Sequence, residues 1–433
     1  MKIPSFFIHP RTRLPGANGP STLSYSALCC TRCNGCATSC PSYLLQREEI
    51  FSPRGRAQLT RLLAEDKIKP LPYQKLIKQT LRHCTLCARC TQDCAGKIPV
   101  PHQMITIRRS LKLRLLPHAF YYAHCLRVKT PVIFNSLVRF ALLLRYMAIT
   151  TLLLPVLPNW LRHLCRVLPR KTTSLRRVLA THHVEINSPQ PDVLYLPGIE
   201  AQHIDGKIGF YTLQAAKAQR PLVLFNTPSG LFEYTHGSFI TCLKQAKKLL
   251  RTWEKYSTQK PLALLTESIE IYSFLKNYPL LFATLPGWQK RATAFAAHVK
   301  FTTDFPFPDG KMDDTKHCVA LDDSTALYPA GEVAERARKI LLTKFGPNMI
   351  QCTYSRFPVP VAGGAFAYPA QAQWIVQQNA RDVAQHQLTD VYCLSAWAAL
   401  EINAALRRYH PAATAKHIAY LQADYERLSD GNA

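Results

Sequence analysis

Eight cysteines between residues 30 and 94 fall into two copies of one spacing, and nothing else in the chain restricts its fold so tightly. The first copy reads Cys30-Thr-Arg-Cys33-Asn-Gly-Cys36-Ala-Thr-Ser-Cys40-Pro41, the second Cys84-Thr-Leu-Cys87-Ala-Arg-Cys90-Thr-Gln-Asp-Cys94. A tight loop with cysteine at every third position aims three thiols at one centre, and an iron–sulfur cubane needs four at the corners of a tetrahedron. In a two-cluster arrangement the fourth thiolate comes from the opposite run. The spacing therefore predicts two [4Fe–4S] clusters, one on Cys30, Cys33, Cys36 and Cys94, the other on Cys84, Cys87, Cys90 and Cys40. Pro41 after the fourth ligand turns the chain away, whereas the second run has Ala95 there.

Zinc sites usually present two Cys-x-x-Cys pairs a dozen or more residues apart, not three cysteines in seven. Disulfides need an oxidising compartment, and Phe6-Phe7-Ile8 is too short an apolar core for a secretory signal. Cys29 is out of register and is read as a bystander, and the six remaining cysteines as ordinary buried thiols.

The 433 residues suffice for two or three domains. Lys and Arg outnumber Asp and Glu by 54 to 27, a net charge of +27. That field favours an anionic partner such as nucleic acid, an acidic protein or an anionic membrane face. No nucleic-acid motif accompanies it, so nucleic acid is the disfavoured partner.

Between the two runs lies Ser52-Pro53-Arg54-Gly55-Arg56, with Ser52 as N-cap and Pro53 as first helical residue, and a second helix spans Lys75 to Arg82. The order of cysteine run, Ser-Pro-Arg-Gly-Arg, helix and second cysteine run resembles the iron–sulfur subunit of glycolate oxidase. Its relatives include the lactate-utilisation iron–sulfur protein and the corresponding iron–sulfur chains of anaerobic glycerol-3-phosphate dehydrogenase and of heterodisulfide reductase. The match is specific within residues 28–110.

The resemblance implies an α+β chain: an N-terminal α-helical dicluster ferredoxin domain, then a duplicated α/β region of cysteine-rich type that is here cysteine-poor. It divides the chain into an irregular N-terminus (1–24), the ferredoxin-type domain (25–110), a basic helical linker (111–190) and two modules (191–310 and 311–433). It also implies an electron-transfer subunit. A flavoprotein dehydrogenase of a 2-hydroxy acid (glycolate, lactate) or glycerol 3-phosphate would carry FAD and supply electrons, passed on toward a quinone or a quinone reductase. The expected location is cytoplasmic, with peripheral attachment to the inner membrane as a variant. No acid–base pair or nucleophile presents itself, so substrate chemistry is expected in the partner. A scaffold role and a nucleic-acid-binding iron–sulfur protein remain as alternatives.

Residues 104–170 are basic and apolar together, yet Arg139, Arg145, Pro155 and Pro158 interrupt every run long enough to span a bilayer. Two readings stand: helices lying on an anionic bilayer, or, the favoured one, helices packed on the ferredoxin domain. Residues 171–190 read as a linker. Beyond them, strands at 193–196, 221–225, 262–266, 318–321, 349–353 and 391–394 alternate with helices at 208–219, 239–256, 280–299, 331–344, 370–387, 396–408 and 415–428, an α/β pattern in two cycles.

In the resembled family these cycles carry metal-binding cysteines. Here Ile199 follows Leu196-Pro197-Gly198, Pro228-Ser229-Gly230-Leu231 stands for Cys-Cys-Gly-Leu, and Ser268 and Ile271 occupy the later pair. In the second cycle Thr325 and the run Val359–Phe366 replace further ligands, leaving Cys393 alone on a family cysteine. Such side chains are no ligands for a soft metal, so no metal site is expected there. Gly198, Gly230, Gly363 and Gly364 are expected to hold tight turns, and His182, His183 and His236 to be surface or satisfied residues.

Overall fold

The computed structural model describes residues 27, 29–111, 118–147, 149, 154–186, 188–258, 260–307, 318–323, 331–353 and 369–424. Two parallel four-stranded sheets dominate its second half. The first comprises β1 (Val193–Tyr195), β2 (Pro221–Val223), β3 (Leu264–Thr266) and β4 (Val299–Phe301), in the order β2-β1-β3-β4. The second comprises β5 (Val319–Asp322), β6 (Met349–Ile350), β7 (Asp390–Cys393) and β8 (Thr414–His417), in the order β6-β5-β7-β8. One strand order used twice is what a duplicated α/β unit gives. Central strands β1, β3, β5 and β7 are buried throughout, as parallel sheets covered on both faces require.

Short turns aside, the helices are α1 (Pro41–Gln46), α2 (Pro53–Ala64), α3 (Gln74–His83), α4 (Val100–Leu111), α5 (His118–Lys129), α6 (Pro131–Tyr146), α7 (Asn159–Val167) and α8 (Leu175–Thr181). The sheets add α9 (Gly206–Ala215), α10 (Phe239–Tyr256), α11 (Ile269–Lys276), α12 (Pro286–His298), α13 (Glu332–Phe345), α14 (Pro369–Gln385) and α15 (Ala396–Tyr409). One hydrophobic cluster runs from Ala57 and Leu81 through Met104 and Ile107 to Leu249, Phe295 and Val299. The helices between the cysteine runs thus share a core with the first sheet. Arg108 reinforces that joint, its guanidinium donating to the carbonyls of Leu81 and Thr235 at 2.7 Å each.

Three expectations need correction. The helix placed over 415–428 gives way at its start to β8, where Ala415 and His417 pair with Val391 and Cys393 and turn inward, so sheet pairing overrides helical propensity. The helix placed over 280–299 is divided into a short turn of helix, Tyr278–Leu281, and α12 from Pro286, and hands Val299 to β4. Within the supposed linker, α8 is capped by the Ser174 hydroxyl, which accepts from the Arg177 amide, and buries Leu175 and Leu179 against Val193 and Tyr195. Thr325 and the run Val359–Phe366, with Gly363 and Gly364, lie outside the described residues, as do residues 1–26. Gly230 does adopt a left-handed turn, at φ 88°, whereas Gly198 is extended at φ −63°.

The Ser-Pro-Arg-Gly-Arg segment is explained residue by residue. The Ser52 hydroxyl accepts from the Gly55 amide at 2.8 Å and Pro53 opens α2. Arg54 grips the Glu49 carboxylate with two bonds of 2.7 and 2.8 Å. Gly55 is needed for space rather than for its dihedrals: a Cβ there would lie 2.1 Å from the Glu49 carbonyl oxygen. Gly55→Ala is therefore expected to lower stability by about 1–3 kcal/mol, the usual range for overpacking, as read from the thermal midpoint of the anaerobic protein.

Candidate iron–sulfur centre

The backbone of both cysteine runs repeats as their spacing does. Arg32 and Asn34, which flank Cys33, have φ of 59° and 66°; Leu86 and Ala88, which flank Cys87, have φ of 60° and 58°. None of the four is glycine, so each carries the strain of a left-handed conformation. Left-handed residues on both sides of the central cysteine are thus a backbone feature that the two runs share.

The thiols sort into two neighbourhoods. Cys36 lies in the electrostatic field of Cys30, Cys94 and Cys40. Cys90 lies in that of Cys87, Cys40 and Cys84. Cys94 of the second run thus lies near Cys36 of the first, and Cys40 lies near both Cys36 and Cys90. Cys33 stands apart: it is exposed, and hydrogen bonds from the Gly35 backbone and the Thr31 side chain hold its thiol below its ordinary value. Burial pushes the Cys36 and Cys87 thiols up to about 11, and Cys90 well above its usual value. Cys29 is exposed.

Arg56 supplies the counter-charge. It is 2 % exposed, and its Nη1 lies 3.6 Å from Cys40 Sγ. Burial alone would lower its pKa, but the fields of Cys84, Cys40 and Cys90 raise it on balance. Its Nε and Nη2 have no hydrogen-bond partner among the described residues. Buried donors of a guanidinium are costly to leave unpaired, and the acceptors that would satisfy them are the sulfurs of an anionic cluster. The residues present fit that group. Sequence reasoning missed Arg56 as a site residue, although its place in the segment between the runs was the available signal.

In the α/β region the described positions singled out from the sequence are engaged otherwise. Ser268, where the resembled family has cysteine, caps α11 by accepting from the Ile271 amide, and Cys393 is fully buried with its Sγ toward the Val391 carbonyl. Carboxylates collect where β1 and β3 end instead. Glu267 accepts from the Gly198 amide at 2.6 Å and from the Tyr195 hydroxyl at 2.7 Å. Burial raises Glu267 and Glu200 to about 7 and lifts Glu270 as well. Cys352, Asp382 and His386 bring ligand-type atoms within 4.8 Å of one another, a grouping the sequence reading did not foresee. His386 Nδ1 already lies 2.9 Å from the Asp382 carbonyl and 3.4 Å from its carboxylate, bonding within its own helix turn. His236 is likewise satisfied, its Nδ1 2.8 Å from the Phe232 carbonyl.

The raised carboxyl of Glu267 has a consequence for pH. Its folded-state pKa, about 7, exceeds its unfolded value, so its contribution is complete at low pH and is lost as pH rises through about 7. Glu267→Gln cannot ionise. The variant's thermal midpoint relative to the wild type is expected to climb between pH 5 and pH 8, by the equivalent of about 1.4 kcal/mol per unit of displaced pKa. A difference that stays flat across this range would contradict the assignment.

Residues 26–98 match the family described as the 4Fe-4S dicluster domain. No curated protein and no solved structure matches the chain. The protein is an iron–sulfur protein of the electron-transfer type, with a 4Fe-4S cluster in this N-terminal region.

Proposed function

We propose that the chain is the iron–sulfur relay of an oxidoreductase complex with two [4Fe–4S] clusters. One is held by Cys30, Cys33, Cys36 and Cys94, the other by Cys84, Cys87, Cys90 and Cys40. The observation that supports two sites is the matching pair of left-handed residues on either side of Cys33 and of Cys87. Clusters bound there supply one-electron transfer. The chain's own residues shape the path: the exposed Cys33 loop opens the first site to a partner, whereas the buried Cys40 and Arg56 shield the second from water.

The resemblance of residues 28–110 to the glycolate oxidase iron–sulfur subunit supports the donor's class, a flavoprotein that oxidises a 2-hydroxy acid or glycerol 3-phosphate. A quinone, or a reductase serving one, is the matching acceptor. The direct experiment is anaerobic affinity purification from the native host. Co-purification of a flavoprotein whose substrate bleaches the visible absorption of this chain supports the reading. Iron-loaded protein that no flavoprotein accompanies and no such substrate reduces would overturn the donor assignment.

A further inference from the structure

The region after the cysteine runs does not behave as a packed linker. In α6 only Phe134 is buried, seated edge-on against His203 at a ring separation of 6.1 Å. Arg145 Nε donates to the Leu168 carbonyl at 3.2 Å and pins the far end. On the preceding helix, His124 stacks on Phe232 at 4.1 Å and reaches the Glu233 carboxylate at 2.5 Å. One face of this helical hairpin is therefore fixed to the body. The opposite face carries Val132, Ile133, Leu137, Phe140, Leu143, Tyr146 and Met147, all exposed, with Val132 at 76 % and Phe140 at 58 %. Their spacing, mostly of three and four residues, makes one apolar stripe broken only by Ser136 and Arg139. The expected packing on the ferredoxin-type region holds at α4, whose Met104 and Ile107 share a core with Ala57 and Leu81, whereas α5 and α6 rest on Phe232, Glu233 and His203 and leave this face exposed.

Charge identifies what would cover the stripe. From Cys94 to Val184 the chain contains no Asp and no Glu, while Lys and Arg recur throughout. Exposed Lys129 and Arg139 flank or interrupt the stripe itself. A second copy of the chain would bring the same positive field against it, so self-association through this face is opposed by charge. An anionic lipid surface matches both properties, since it takes apolar side chains at the headgroup boundary and attracts nearby cations. No helix among the described residues is long and apolar enough to cross a membrane, so the contact is one of lying on the surface.

We infer that α6 docks the protein on an anionic bilayer, with its Val132–Met147 stripe inserted at the headgroup boundary. The contact does not depend on the identity of the electron donor.

The test is flotation of the full, iron-loaded chain with two kinds of vesicle, phosphatidylcholine alone and phosphatidylcholine mixed with phosphatidylglycerol. Wild type is expected to float with the anionic vesicles only, with affinity falling as salt rises. The variant Leu137→Ser/Phe140→Ser is expected to lose about tenfold or more in partition coefficient, with unchanged iron content as evidence of folding. Arg139→Gln, which leaves the stripe intact, is expected to bind more weakly and with less sensitivity to salt. Wild type that stays behind with both vesicles, or a double-serine variant that floats as well as wild type, would overturn the inference. So would a wild-type dimer in sedimentation velocity that the double-serine variant converts to monomer, because the stripe would then be an interface between copies.

Discussion

The Arg56→Met variant is expected to hold its second cluster at a midpoint potential about 60 mV or more below that of the wild type, the equivalent of a tenfold shift for a one-electron couple. A buried guanidinium 3.6 Å from Cys40 Sγ, in the field of Cys84 and Cys90, stabilises the more negative, reduced state of whatever those thiolates bind. Methionine fills much of the same volume without the charge, so the thiolates lose a buried counter-ion. Removing one partner of a buried charge pair commonly costs about 3–5 kcal/mol, and the variant is expected to lose stability on that scale when iron-loaded. Potentiometric titration followed by electron paramagnetic resonance reads the first effect, and anaerobic thermal unfolding the second. Arg56→Lys restores charge without the planar fork and is expected to recover most of the potential. Unchanged potential in Arg56→Met with full iron would show that the guanidinium has no electrostatic role.

Iron content gives the second large effect. If both spacings are filled, the anaerobic protein carries about eight irons. Cys87→Ser is expected to reduce this to about four, with a matching loss of visible absorption, because Cys87 lies in one electrostatic neighbourhood with Cys40, Cys84 and Cys90, the ligands proposed for the second cluster. Cys33→Ser is expected to remove the other four. A serine hydroxyl is a poor soft-metal ligand, so partial retention is not expected in either case. The double variant should be colourless. Absorption left unchanged in both single variants would mean that these cysteines do not hold iron. Loss of all iron in one single variant would mean that the two sites form as one unit.

Much of this protein is local, and the local part was legible in the chain. Ligand spacing, the Ser52 cap, Pro53 at the first helical position and the alternation of strands with helices all depend on neighbours a few residues apart. For the same reason the helix over Phe239–Tyr256 coincides with its expected limits.

The remainder needed contacts between distant segments. Strand β8 exists because β7 offers it partners, and the residues of α8 become a helix rather than a linker because β1 offers Leu175 and Leu179 a surface. The sequence alone placed eight cysteines in two interchangeable loops, since such geometry is set by a few bonds. Only the tertiary structure decided that Arg56 is buried against one set of thiols, that Glu267 is buried where it accepts from Gly198 and Tyr195, and that the stripe on α6 faces outward. Burial and electrostatic neighbourhood depend on what the rest of the chain brings alongside.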